Sequence, residues 1–258
     1  MDLPLWSYGV AVVGGGLIGL LLAVFGGGGS VLATPLLIYL VGVRDPHVAI
    51  GTAAAAVAVN ALFGLAGQAR AGAVKWPCAA VFGGAGLAGS MIGAQLAKQM
   101  DGQVLLTWFG VAMAAVAISM LTPRKGLGDP GVRLTRALTL KLAPVGLVVG
   151  LAAGFFGIGG GFLIVPGLMA ATGMTLAHAA ASSLVSVVLF GAATSTSYAA
   201  SGLIDWRVFA ALVVGGAFGA IAAPPVVRVL SDKAVLGRRL FAVMVLATAA
   251  YVIWRSLS

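Results

Sequence analysis

Apolar stretches about twenty residues long recur along almost the whole chain, and they decide what it can fold into. Of 258 residues, 61% are hydrophobic and only 8% are charged. The surface of a water-soluble domain is itself about a quarter charged. A hydrocarbon core of ~30 Å is crossed by about 20 helical residues. The expectation is therefore an all-α integral membrane protein, with the lipid bilayer as its main solvent. The 39 glycines lie inside apolar runs, where small residues let helices pack without lipid between them. The first apolar stretch lacks the basic start of a signal peptide, Asp2 being its only early charge, and is kept as part of the fold. The net charge of +9 comes from residues between apolar segments, so it orients the chain in a membrane and implies no nucleic-acid partner. A single cysteine, Cys78, excludes an internal disulfide and any cysteine cluster. No cofactor or metal motif is present, and no feature sets an oligomeric state.

The chain is two copies of one unit. Phe25-Gly-Gly-Gly-Gly-Ser30 aligns with Phe156-Gly-Ile-Gly-Gly-Gly161, Pro35 with Pro166 and His47 with His178, each 131 residues apart. Thr52 meets Ser183 in the same register. After the loss of one residue, Gly72 meets Gly202, Trp76 meets Trp206 and Gly89 meets Gly219, each 130 apart. This divides the chain into a first repeat (1–121), a basic cytoplasmic linker (122–142) and a second repeat (143–258). Each repeat reads as one glycine-broken element and three plain spans, at about 47–68, 77–97, 102–121, 179–200, 206–228 and 240–255. Behind the second break only Phe162 to Gly173 remain. Twelve residues rise roughly 18 Å, too short to cross.

Charge decides between parallel and inverted repeats. If each broken element is re-entrant, one side carries Arg70, Lys75, Arg124, Lys125, Arg133, Arg136, Lys141, Arg228, Lys233, Arg238 and Arg239. The other carries Arg44, Lys98, Arg207 and Arg255. That split is eleven to four, against nine to six if the broken elements cross fully. The positive-inside rule favours inverted repeats with both termini outside.

Non-helical backbone at membrane depth survives only where protein or a water-filled cavity satisfies it. Half-helices starting near Ser30 and Gly161 point their positive ends at the breaks, where bare N–H groups bind anions. The candidate substrate-binding residues are Gly27, Gly28, Gly29, Ser30, Gly159, Gly160 and Gly161, for a small anionic substrate. The rival reading of the glycines is tight helix crossing. All six acids, Asp2, Asp45, Asp101, Asp129, Asp205 and Asp232, fall at segment ends or loops, so no mid-span carboxylate serves a cation or repels an anion. Polar groups within the spans include Thr52, Asn60 and Gln68, and Ser182, Ser183, Ser186 and Thr194 to Ser197. Thr52, Asn60, Ser182 and Ser183 join the candidate shell as neutral donors, with interhelical bonding as the alternative. His47 and His178 suit proton coupling or, sitting beside N-cap signals, a packing role. No HExxH sequence and no facing pair of mid-span aspartates is present, so no catalytic residue is assigned and the chain is not read as an enzyme.

Phe25-Gly-Gly-Gly-Gly-Ser30 with Pro35, Phe156-Gly-Ile-Gly-Gly-Gly-Phe-Leu-Ile-Val-Pro166, Ala181-Ser-Ser-Leu184 and Gly202-Leu-Ile-Asp-Trp206 together resemble the sulfite exporter TauE/SafE family of membrane permeases. The resemblance covers nearly the whole chain. It implies export of sulfite or another small organosulfur oxyanion across a bacterial inner membrane. With the paired breaks, the leading expectation is a multi-pass secondary transporter with alternating access around them. A passive anion channel is the alternative, and a membrane receptor or scaffold a more distant one.

Overall fold

A computed structural model describes residues 4–121, 128–157, 161–232 and 234–257. Among these residues the chain is helical throughout, with one isolated β-bridge between Asp129 and Met174 and no strand. The helices are α1 (Leu5–Phe25), α2 (Ala33–Leu36), α3 (Pro46–Arg70), α4 (Trp76–Ala97), α5 (Gly102–Leu121), α6 (Arg136–Phe155), α7 (Gly161–Thr172), α8 (Leu176–Ala199), α9 (Trp206–Asp232) and α10 (Ala234–Leu257). A 3-10 run, Gly26–Leu32, precedes α2, and a π turn, Leu37–Val41, follows it. Seven stretches are long and apolar enough to cross a bilayer, counting Leu5–Val41 as one. Short polar caps set the helix starts. Asp45 accepts from His47 N at 2.8 Å with Pro46 at the first helical position, Thr135 accepts from Leu138 N at 3.3 Å, and Thr175 accepts from His178 N at 3.4 Å.

Glycine decides which helices touch. Gly15 and Gly19 of α1 lie so close to Leu212 and Gly216 of α9 that a Cβ at either would overlap the partner backbone. Gly146 and Gly150 of α6 meet Phe82 and Gly86 of α4 in the same way. Both pairs run parallel, since the contacts advance together along the two chains. Each joins one helix from each repeat, and the two sets of contacts match under the 131- and 130-residue offsets. The third major pairing, α3 with α8, runs antiparallel: Gly51 meets Tyr198, Ala54 and Ala58 meet Gly191, and Gly64 meets Leu184. Gly110, two turns into α5, lies against Ile253 near the end of α10.

These contacts define two ends of the bundle. At one end α3 and α9 begin, tied by Asp205 N donating to Thr52 Oγ1 at 2.9 Å; α4 and α8 finish there, tied by Lys98 Nζ to Ser197 O at 3.3 Å. At the other end α8 begins beside the linker, where Asp129 N donates to Gly173 O at 2.8 Å. After α1 the chain turns back along it: Gly29 lies against Leu21 and Leu22, and Leu36 against Gly14. After α6 the same happens, with Gly167 of α7 against Val149.

Three details depart from the sequence expectations. No α-helix starts at Ser30. The chain winds as a 3-10 helix from Gly26 to Leu32, because a run of four glycines has no side chains to hold an α turn, and i→i+3 bonds then occupy donors that a fresh α N-terminus would leave free. The linker is shorter than 122–142, since Thr135 caps α6 and Arg136 to Lys141 already lie within that helix. The residue lost between repeats falls in the loops Val43–Asp45 and Met174–Thr175, because the caps Asp45 and Thr175 are 130 apart. His47 and His178 therefore sit one helical position out of register, and the counterpart of Thr52 is Ser182.

Backbone-on-backbone contact leaves no rotamer to relieve an added methyl. Gly150→Ala is expected to lower the melting temperature in detergent by several degrees, corresponding to the 1–3 kcal/mol of an overpacked core or more. Gly84→Ala, where a Cβ meets nothing within 4 Å, is expected to leave it unchanged or raised. Thermal unfolding of the two variants side by side checks this.

Candidate functional site

Gly26 and Gly157 occupy matching positions, with φ +62° and +67°, a left-handed conformation that turns the chain sharply at the ends of α1 and α6. Beyond these turns the broken elements meet. Gly161 packs on Gly27 so closely that a Cβ at Gly161 would overlap the Gly27 carbonyl. Val187 of α8 closes the same spot, its Cγ2 lying 2.7 Å from where a Gly27 Cβ would be. Gly26 to Val31, Gly161 and Phe162 are all buried. Gly159 and Gly160 lie outside the described residues.

The first break is latched. Gly27 N–H donates to Ser183 Oγ at 2.9 Å, the Ser183 hydroxyl donates to Ala180 O at 2.7 Å, and the Ser30 hydroxyl donates back to Gly27 O at 2.7 Å. At the second break Ile50, the counterpart of Ala180, packs on Gly157, and the counterpart of Ser183 is Ala53, which carries no hydroxyl. Gly28 and Gly29 are buried in the 3-10 run, Gly29 against Leu21 and Leu22 of α1.

The other candidates lie apart from this junction. Thr52 accepts from Asp205 N at the start of α9, and Ser182 accepts from Lys75 N at 2.9 Å at the start of α4. These two bonds are equivalents under the repeat, one toward each end of the bundle, and each closes a helix start. Asn60 is buried between α3 and α9, where Nδ2 donates to Leu212 O at 3.2 Å and Oδ1 has no protein partner. The His47 ring places Nε2 3.1 Å from Met100 O, and His178 packs beside its cap, with Nδ1 of each ring buried and unpartnered. The hydrogen bonds of both histidines lie at the starts of α3 and α8, and the first turns of the same helices bring Ile50 onto Gly157 and Ala180 onto Gly26.

Asp45, Asp101 and Asp205 hold helix-start N–H groups, and Asp129 holds Gly131 N in the linker turn. No metal-binding group of His, Cys, Asp or Glu occurs among the described residues. Sequence reasoning named the hydroxyls of α8 but missed that several share a face with Phe190, which stacks on Phe82 with ring centroids 6.5 Å apart. The spacing of Ser183, Ser186, Phe190, Thr194 and Ser197 on one helical face was the available signal.

A family model described as "Sulfite exporter TauE/SafE" matches residues 11–252. The chain belongs to the TauE/SafE family. A probable membrane transporter protein of Xylella fastidiosa (strain Temecula1 / ATCC 700964) is 44% identical, over 96% of this chain and 95% of its own length. A probable membrane transporter protein of Bacillus subtilis (strain 168) is 28% identical over 89% of this chain and 92% of its own. A third, from Methanocaldococcus jannaschii, is 27% identical over 60% and 59%. No solved structure matches. Family and fold together make this a multi-pass membrane protein of a transporter family.

The Ser183 latch has a measurable consequence. Ser183→Ala strands the buried Gly27 N–H, which costs about 1–3 kcal/mol. The variant is expected to melt several degrees below wild type in detergent, while Ser195→Ala, whose hydroxyl only returns to Ala192 O on the same helix, melts with wild type.

Proposed function

We propose that this protein is a secondary transporter that exports a small anion, sulfite or an organosulfur oxyanion, across the inner membrane. The observation that carries the reading is the contact of the two broken elements at Gly27 and Gly161, inside the bundle and free of any carboxylate among the described residues. An oxyanion would bind where these elements part, taking the Gly27 N–H from Ser183. The exchange is inexpensive, since one neutral hydrogen bond contributes only about 0.5–1.5 kcal/mol net. Weak dipolar holding also suits a cargo that must be released.

The topology we propose has two inverted repeats with re-entrant broken elements and a cytoplasmic linker. Its supports are the antiparallel run of the counterpart helices α3 and α8, the return of the chain along α1 and α6, and the eleven-to-four charge split. The bodies that rock are then not the repeats themselves. The backbone-tight pairs α1–α9 and α4–α6 each tie one repeat to the other, so the bodies are α1–α3–α9 and α4–α6–α8, with the breaks and the α3–α8 contact between them. A passive pore fits less well, because Gly27, Gly161 and Val187 close on one another.

Purified protein in sulfite-loaded liposomes is expected to give saturable efflux and counterflow of labelled sulfite. No flux of sulfite or of a short alkyl sulfonate would overturn the substrate class, and non-saturating conductive flux would make the protein a channel. For topology, Gly128→Cys in a Cys78→Ala background is expected to resist an impermeant thiol reagent in intact cells and react in inverted vesicles. The opposite pattern would overturn the orientation.

A further inference from the structure

The two halves of the bundle are equivalent in backbone and unlike in side chain, and the difference follows one helix face. Under the 130-residue offset, Asn60 on Gly216 corresponds to Phe190 on Gly86, and the structure keeps both contacts. Continuing toward the helix ends, Gly64 corresponds to Thr194, Gly67 to Ser197 and Gln68 to Tyr198. In the first half these positions line a pocket of about 230 Å³ with Ala23, Ala71 and Ala223, opening at the linker end. That is room for several waters, each of which occupies about 30 Å³ in the liquid. Gln68 Nε2 reaches across it to Ala23 O at 2.9 Å, at the end of α1.

In the second half the same face is filled. Phe190 stacks on Phe82 and both are fully buried. On either side of this pair stand hydroxyls without a hydrogen-bond partner: Ser186 toward the break, Thr194 and Ser197 toward the opposite end. Ser186 and Thr194 are 0% exposed. A buried hydroxyl normally finds a partner, and helical Ser and Thr have one within reach in the carbonyl a turn back. Ser195 and Thr196, on the other side of α8, do bond to Ala192 O. The line ends at Lys98, whose ammonium donates to Ser197 O at 3.3 Å and Ser201 Oγ at 3.2 Å.

We propose that this face of α8, from Ser186 past Phe190 to Thr194, Ser197 and Lys98, is the outward access path of the oxyanion, with the Phe190–Phe82 pair as its gate. The proposal rests on the transporter reading above and names the residues that give the path its selectivity. The open pocket at Gly64, Gly67 and Gln68 is its counterpart on the linker side. Hydroxyl donors suit an oxyanion because they stabilise it without holding it as a fixed cation would. Lys98 adds attraction only at the mouth. The aromatic pair keeps water and anion from passing while the linker-side pocket is open.

Two measurements test this, and only one depends on the substrate. In a Cys78→Ala background, Thr194→Cys is expected to react with the small anionic reagent 2-sulfonatoethyl methanethiosulfonate in the folded protein, several-fold more slowly when Lys98→Gln is added. Ser186→Cys, beyond the gate, is expected to react at least about tenfold faster with Phe190→Ala than without it. Folded protein in which neither cysteine reacts, although both do after denaturation, would overturn the path. In sulfite flux, Ser186→Ala and Thr194→Val are each expected to lower kcat/KM by about 2–10-fold, the worth of one neutral hydrogen bond. Ser195→Ala and Thr196→Val are expected to leave it within twofold of wild type. Removing an unpartnered hydroxyl leaves the melting temperature unchanged or raised; flux equal to these controls, or a melting temperature that falls with the flux, would overturn the assignment. If wild type moves no sulfite or sulfonate, the transport reading fails by itself, and the labelling still decides whether the path exists.

Discussion

The structure depends on the contact of bare backbone with bare backbone. In lipid there is no hydrophobic drive between helices, so close packing and weak polar contacts hold a bundle together. Here backbone-tight packing joins α1 to α9 and α4 to α6, through Gly15, Gly19, Gly216, Gly86, Gly146 and Gly150. These pairs cross between repeats. The chain is therefore duplicated in sequence and interwoven in space.

Interweaving explains why the broken elements lie where they do. With α1 packed along α9 and α6 along α4, the chain beyond each pair turns back along α1 and α6. Gly26 and Gly157 turn it there, and Gly27 and Gly161 come into contact. The polar residues that span helices carry divide by the same logic. Thr52 and Ser182 close helix starts at the two ends, and Ser183 holds the break itself. An irregular backbone buried among apolar helices needs such bonds wherever its own ladder stops.

Much of this was legible in the sequence. Helix number, span limits to within a few residues, the glycine breaks and the two-copy pattern follow from apolar run length and matched landmarks. The loss of one residue was legible but its place was not, because His47 and His178 match by identity while the caps Asp45 and Thr175 match by role, and only geometry separates the two. The 3-10 winding after Gly26 was also hidden, since a glycine run signals a break without stating what replaces the helix. Of the site candidates, Gly27, Ser30, Gly161 and Ser183 gather at one junction. Thr52, Asn60 and Ser182 serve other contacts, because a polar side chain in a span looks alike whether it faces a ligand or a neighbouring helix.

Function enters through the departures from symmetry. A duplicated bundle with identical halves would treat both membrane faces alike, and nothing in it would favour one direction of closure. In this chain Ser183 of the second repeat holds the first break, whereas its counterpart Ala53 carries no hydroxyl and Ile50 packs on Gly157 at the second. Along the face proposed as the access path the first half has Asn60, Gly64, Gly67 and Gln68 and the second has Phe190, Thr194, Ser197 and Tyr198. On the proposed reading, a polar latch on one break and an aromatic pair on the opposite path would stabilise the same arrangement, open toward the linker and closed toward Lys98, each weak enough to be exchanged for contacts with a small anion. The duplicated glycines would then supply the frame for two such arrangements, and the few residues that break the match would set which of them is populated.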